Sequence, residues 1–188
     1  MKRRLFLTGP VGCGKSTAIV RALGDKIAQC GGFLTRRYRE PRLHFTLESP
    51  DGSFREIFLD FPGGKPVLTQ NTFSVLGTQL LLPRKNDKGF APCIMDEIGG
   101  IELLNPEFSA MLDRVLGSDI PILGVLKGEG PAGALTDSLG LSDEYGQAAF
   151  RLRQKLKNDP PPLLYECGQY DENALLLAKR WVEEYLHD

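Results

Sequence analysis

The residues best suited to chemistry lie near the start of the chain. There Gly9-Pro10-Val11-Gly12-Cys13-Gly14-Lys15-Ser16 fits the spacing G-x-x-x-x-G-K-[ST] at every fixed position. Wrapping a triphosphate takes several backbone N–H groups pointing inward, and side chains would block their approach. Glycine permits both the close contact and the left-handed dihedrals that such a loop needs. The loop runs into a helix N-terminus, whose partial positive charge favours phosphate. Lys15 is expected to reach the β- and γ-phosphates, Ser16 to give Mg2+ a hydroxyl ligand, and Thr17 to contact the α-phosphate. A glycine turn joining strand to helix for structural reasons alone would match the same short pattern. The apolar strand before the loop and the amphipathic helix after it favour a phosphate loop.

A second chemical element stands in mid-chain, where the apolar Ile94-Met95 runs into Asp96-Glu97. A carboxylate at the end of a buried strand can hold the hydration shell of Mg2+, which makes Asp96 the expected metal residue, acting through water. Glu97 follows at once, so its side chain leaves on the other face, where it can polarise a water for in-line attack on the γ-phosphate. Lys15 and Glu97 are the expected catalytic residues. The plainer alternative is a pair of solvated acids opening a loop. Asp96-Glu97-Ile98-Gly99 also satisfies D-x-x-G, but no Asn-Lys-x-Asp follows, so a Ras-like GTPase is not indicated.

Other charged residues are weaker signals. Lys127 closes the apolar run Ile122 to Leu126, in a strand expected to neighbour the acidic one, and from there it could sense the γ-phosphate. Arg36, in a cluster with Arg37 and Arg39, could bring a guanidinium to the phosphates. An exposed strand end and a solvated sheet edge that discourages aggregation are the bland counterparts. Arg151, Arg153, Lys155 and Lys157 are spaced by two, which spreads them around a helix and reads as a solvated surface. His44 and His187 are isolated. Cys13, Cys30, Cys93 and Cys167 form no C-x-x-C pair and read as reduced thiols packed as small hydrophobes.

These residues must be positioned by a frame, and the rest of the sequence indicates which. Arg4 to Leu7 reads as a strand, not a leader, because its apolar part is short and runs straight into the loop. Apolar residues at helical spacing predict a helix from Lys15 to Ile27, broken by Gly31-Gly32. Three strand-like runs, 32–38, 43–48 and 54–60, are separated by Pro41 and by Pro50-Asp51-Gly52, which predicts an antiparallel meander. Residues 61–66 read as a loop, 72–82 as a helix containing Gly77, and 83–89 as an exposed polar stretch. Residues 92–95 and 120–126 have the continuous apolar character of strands buried on both faces. Between them Asn105-Pro106-Glu107 carries the signals of a helix start. A helix capped by Ser142 runs to about Lys157 and stops at Pro160-Pro161-Pro162; a short strand at 163–166 and a helix at 172–186 end the chain. Strands alternating with helices predict an α/β fold of three layers, α/β/α, with a mainly parallel sheet and an antiparallel block. The whole of 1–188 is expected to form one domain, with the antiparallel extension at about 32–60.

Bulk properties narrow the partners. The chain has 188 residues, a hydrophobic fraction of 41%, a charged fraction of 25% and a net charge of −1. This is ordinary for a globular protein and gives no electrostatic footprint for nucleic acid. No apolar run approaches the roughly 18 residues that a membrane span needs. The expected partner is a nucleoside triphosphate such as ATP or GTP, with no nucleic acid or membrane, and the expected location is the cytoplasm.

Four segments together carry a family resemblance. They are the loop Gly9 to Ser16, Cys30-Gly31-Gly32-Phe33-Leu34-Thr35, Met95-Asp96-Glu97-Ile98-Gly99 with Glu102-Leu103, and Asp171-Glu172-Asn173. With the chain length, they resemble the small cancer-related nucleoside-triphosphatase (THEP-type) family of P-loop enzymes. The resemblance implies a RecA-like, additional-strand P-loop fold and slow hydrolysis of nucleoside triphosphates with broad base tolerance. It places phosphate binding on Gly12, Gly14, Lys15, Ser16 and Thr17, and metal and water handling on Asp96 and Glu97. The chain departs from the family pattern at Gly100-Ile101 and at Ala174, and its 128–162 segment is longer than expected. A Mg2+-dependent hydrolase is therefore the leading expectation. A nucleotide or small-molecule kinase, using 128–141 and the basic helix as a lid, and a nucleotide-dependent switch for a protein partner are its rivals.

Overall fold

Strand β1 (Arg4–Thr8) delivers the chain to the glycine loop, and helix α1 (Lys15–Leu23) leaves it. A 3-10 segment, Gly24–Gln29, leads to β2 (Gly31–Tyr38), followed by β3 (His44–Glu48), β4 (Arg55–Asp60) and β5 (Val67–Leu68). A π-helical turn, Phe73–Gly77, continues into α2 (Thr78–Leu80), and β6 (Lys85–Asn86) and β7 (Gly89–Phe90) pair as a separate hairpin. Then come β8 (Cys93–Ile98), a 3-10 turn at Ile101–Leu104, α3 (Pro106–Leu116), β9 (Ile122–Leu126), α4 (Asp143–Asn158), β10 (Leu163–Glu166) and α5 (Glu172–Tyr185). The computed structural model describes residues 3–69, 71–86, 89–128, 139–140, 143–158, 163–169 and 171–186. The expected Ser142 cap, the Pro160–Pro162 stop and most of 128–141 lie outside the described residues.

The main sheet has the order β10-β1-β9-β8-β2-β3-β4-β5. Its first five strands are parallel, and β3, β4 and β5 extend it antiparallel from β2. A strand, β9, thus stands between the loop strand β1 and the acidic strand β8, as the additional-strand fold requires. The antiparallel block grows on the central sheet itself and reaches Leu68 through β5.

Alternation along the central strands divides the core into two layers. Leu5, Leu7, Ile94, Leu123 and Val125 pack with Ile19 and Leu23 of α1 and Trp181 and Val182 of α5. Their alternates Phe6, Met95 and Ile122 pack with Phe108 and Leu112 of α3 and Leu152 and Leu156 of α4. The α3 start forms as its residues predict, with the Asn105 side chain accepting from the Phe108 N–H at 2.8 Å.

Several local expectations change. Helix α1 stops at Leu23, because Gly24 turns to φ 52° and the chain tightens into the 3-10 segment. Gly31-Gly32 is not a helix breaker; it opens β2. Gly32 adopts φ +91°, and a Cβ there would lie 1.9 Å from the carbonyl oxygen of Ile94. Glycine is needed at that place for close approach between β2 and β8. Residues 61–66 contain a 3-10 turn, Pro62–Gly64, and the polar stretch at 83–89 contains half of the β6–β7 hairpin. Arg84, at its base, pairs with Asp51 at 3.0 Å.

Candidate active site

Helix α1 starts differently from α3 and α5. Helices α3 and α5 are capped by Asn105 and Asp171 and carry an acid in the first turn. Helix α1 has no side-chain cap and no acid in its first turn. Its orphan N–H groups and its dipole are left for an external anion. Gly9, Gly12 and Gly14 adopt φ of 127°, 80° and 100°, so the loop curls in a backbone region that disfavours other residues. A Cβ on Gly9 would meet the Cys167 carbonyl oxygen at 2.6 Å, whereas Gly12 and Gly14 face open space.

Lys15 folds back over the loop. It is only 8% exposed, and its Nζ donates to the carbonyl oxygens of Pro10 at 2.6 Å and Gly9 at 3.0 Å. The Cys13 thiol lies 3.6 Å from the same Nζ. Val11, at the loop tip, is 76% exposed. Ser16 turns the other way, and its hydroxyl donates to Asp96 Oδ1 at 2.7 Å. That bond joins the loop at the end of β1 to the acidic end of β8. Thr17 lines the same cavity.

Asp96 is 1% exposed, and its Oδ2 accepts no hydrogen bond among the described residues. The Arg36 guanidinium stands 3.6 Å from that oxygen. Burial pushes the carboxyl up to about 6, against the Ser16 hydrogen bond and the Arg36 charge, which favour the ionised form. Arg36 therefore reaches the site and meets the acid there. Glu97 is displaced from the strand register, since β8 slips against β9 between Asp96 and Ile98. Its carboxylate forms an ion pair with Lys127 at the end of β9, and its N–H donates to Thr35 Oγ1 at 3.3 Å. Every predicted site residue thus lies on the loop, in the first turn of α1 or towards the C-terminal ends of β8, β9 and β2.

The sequence reading missed the groups that hold the end of β8 in place. Glu102 is buried, and its Oε1 accepts from the N–H groups of Gly99 at 2.6 Å and Gly100 at 2.8 Å. Tyr145 of α4 donates to the Gly99 carbonyl at 2.9 Å, and Arg153 donates to the Lys127 carbonyl at 2.5 Å. A single acid inside the apolar run 98–104 was the available signal for Glu102. Nothing in the spacing marks Tyr145 or Arg153. The basic α4 is not uniformly solvated: Arg153 is tied to the site, while Lys155 pairs with Asp113 at 2.7 Å. All four cysteines are buried and free. The family segment at Asp171–Asn173 is a helix cap, with Asp171 also accepting from the Tyr165 hydroxyl.

A parallel sheet with an open-ended helix and glycine loop at its strand tips defines a P-loop nucleotide-binding protein of the three-layer class. Comparison gives the family. The family profile described as NTPase matches residues 4–144, and the chain belongs to that family. Over 180 residues it is 25% identical to a nucleoside-triphosphatase THEP1 of Thermotoga maritima, covering 92% of this chain and 91% of the relative. It is 33% identical over 135 residues to the human cancer-related nucleoside-triphosphatase, covering 63% and 71% of the two chains. The solution structure of a human cancer-related nucleoside triphosphatase superposes with a TM-score of 0.66 at 25% identity, over 98% of this chain and 97% of that one. The crystal structure of THEP1 from Aquifex aeolicus shares the fold, with a TM-score of 0.65 at 17% identity over 98% and 99%.

Proposed function

We propose that the chain hydrolyses nucleoside 5′-triphosphates, ATP and GTP among them, to diphosphate and phosphate. The observation that carries this reading is the 2.7 Å hydrogen bond from Ser16 to Asp96, because it brings the phosphate loop and the acidic strand end to one place. The α1 N–H groups and Lys15 hold the phosphates, and Lys15 offsets charge that develops on the bridging oxygen as the γ-phosphate leaves. Glu97, paired with Lys127 in the free protein, orients a water and takes its proton as the water oxygen bonds to phosphorus. Lys127 then stands free to face the γ-phosphate oxygens, and Arg36 is the second cation within reach.

The donor set suits Mg2+, since the Ser16 hydroxyl and Asp96 Oδ2, which accepts no hydrogen bond among the described residues, are hard oxygen donors. No group of three or more acids, histidines or cysteines gathers among the described residues. Mg2+ is usually held by one or two carboxylates together with phosphates and waters. When bound, the ion neutralises charge on the β- and γ-phosphate oxygens. Among the described residues no helix is long and apolar enough to cross a membrane.

Phosphate release from MgATP and MgGTP tests the proposal, with Lys15→Ala as the control. Release no faster than that control would sink it. Glu97→Gln should bind nucleotide as well as wild type while turning over about a hundredfold more slowly. Equal rates would remove Glu97 from the mechanism.

A further inference from the structure

The cavity that contains the glycine loop continues well past Glu97. Its volume is about 820 Å3, a size that accommodates a complete ligand of the kind bound in cavities of about 300–1,000 Å3. Beyond Glu97 the lining passes to Thr35 and Arg37 of β2, Phe45 of β3, Phe58 of β4 and Phe73. The rings are contiguous, with Phe45 and Phe58 centroids 6.2 Å apart and Phe58 and Phe73 centroids 5.0 Å apart. Phe58 and Phe73 are buried as a floor, and the Arg37 guanidinium lies 5.9 Å from the Phe45 ring centre. These residues have no part in holding phosphate in the loop.

A triphosphate in this loop has a fixed direction. Lys15 and Ser16 serve its β,γ end, and Ser16 touches Asp96, which adjoins Glu97. The γ-phosphate therefore faces Glu97, and the nucleoside leaves at the opposite end. Attack in line with the leaving diphosphate comes from the far side of the γ-phosphate. The aromatic compartment is on that side, joined to Glu97 through the Thr35 hydrogen bond. The base of a nucleotide whose phosphates fill the loop points away from it.

We propose that this compartment binds a second small molecule, an aromatic anion, alongside the nucleotide and in line with its γ-phosphate. The direction of the triphosphate rests on the hydrolase reading of Glu97. The ring floor selects a flat apolar body. Charge selects an anion. The charged residues lining the cavity are Lys15, Arg36, Arg37 and Lys127 against Glu97 and Glu102. Arg36 and Lys127 are matched by Asp96 and Glu97, and Glu102 is turned to backbone N–H groups. Arg37 has no carboxylate partner among the described residues. An occupant fills the position of the attacking water, so it slows hydrolysis without displacing nucleotide.

The probe is 1-anilinonaphthalene-8-sulfonate, an aromatic sulfonate whose fluorescence reports binding, titrated with and without saturating ADP and Mg2+. The expected result is binding in both conditions, and a fall in the maximal rate of phosphate release with no rise in the KM for ATP. Arg37→Glu should weaken probe binding by about tenfold or more, the scale of one charged contact, and leave the KM for ATP unchanged. Competitive displacement by ADP would make the compartment the base site and overturn the proposal, as would absent binding or equal affinity in Arg37→Glu. If wild type binds ADP but releases no phosphate, the hydrolase reading fails while the titration still decides whether the second site exists.

Discussion

Glu102 gives the sharpest quantitative test of how the site is held. Two effects compete on its carboxyl. Burial, at 4% exposure, disfavours the charge, while the Gly99 and Gly100 N–H groups favour it. Burial prevails and pushes the group from 4.5 up to about 7. A carboxyl raised in this way stabilises the fold fully below its unfolded value of 4.5, and the contribution is lost as pH rises through about 7. At 1.36 kcal/mol per factor of ten in acidity, the whole loss is about 3 kcal/mol, of which about 2–3 kcal/mol falls between pH 5 and pH 8.

Glu102→Gln keeps an oxygen to accept both N–H groups and never ionises. It should be close to wild type in stability at pH 5 and exceed it by about 2 kcal/mol at pH 8. Glu102→Ala leaves two buried N–H groups unpaired at either pH and should lose about 2–6 kcal/mol, from about 1–3 for each orphaned group. Urea unfolding measures all three proteins at both pH values. With slopes of about 1–3 kcal/mol per molar, a 2 kcal/mol gain moves the midpoint by roughly 1 M. Asp96 titrates in wild type and in Glu102→Gln alike, so the difference between the two isolates Glu102. A Glu102→Gln protein no more stable than wild type at pH 8 would refute the claim that desolvation outweighs the two N–H bonds.

Two further substitutions test the frame. Gly32→Ala places a methyl group 1.9 Å from the Ile94 carbonyl oxygen on a backbone at φ +91°, so β2 must part from β8; a loss above about 4 kcal/mol is expected, read as a collapse of the thermal transition. Asn105→Ala removes the α3 cap, and should cost about 1 kcal/mol, lowering Tm by about 2–4 °C in a calorimetric scan.

What was legible in the sequence follows from range. The phosphate loop is contiguous, so Gly9 to Ser16 states its own chemistry, and Asn105-Pro106-Glu107 likewise states a helix start. Buried strands such as 120–126 announce themselves by unbroken apolar character. Contacts between distant segments leave no local trace. Gly32 read as a helix breaker because its reason lies 62 residues away, at the Ile94 carbonyl. The end of α1 was missed because Ile27 keeps the helical spacing of apolar residues while Gly24 changes the backbone beneath it. Tyr145, Arg153 and the phenylalanines of β3, β4 and the π-helical turn reach the cavity only through the topology. The Asp96-Glu97 pair was legible as chemistry, but its pairing with Ser16, Arg36 and Lys127 depends on the order β1-β9-β8-β2.

That strand order also explains how a buried, charged site remains stable before substrate arrives. Lys15 is bonded to the carbonyls of Gly9 and Pro10, Asp96 to Ser16 with Arg36 beside it, and Glu97 to Lys127. Each charge has a local partner, which limits the penalty of burying it. A triphosphate brings anionic oxygens to a place where the cations are already assembled, so binding exchanges partners and little new charge is desolvated. In the proposed mechanism the cations released from carbonyls and carboxylates are the ones that meet the phosphates: Lys15 at the start of α1, and Arg36 and Lys127 towards the ends of β2 and β9. Recognition at this place is therefore recognition of phosphate. It follows that Lys15→Ala should weaken every nucleoside triphosphate by a similar factor, and a loss confined to one base would contradict this account.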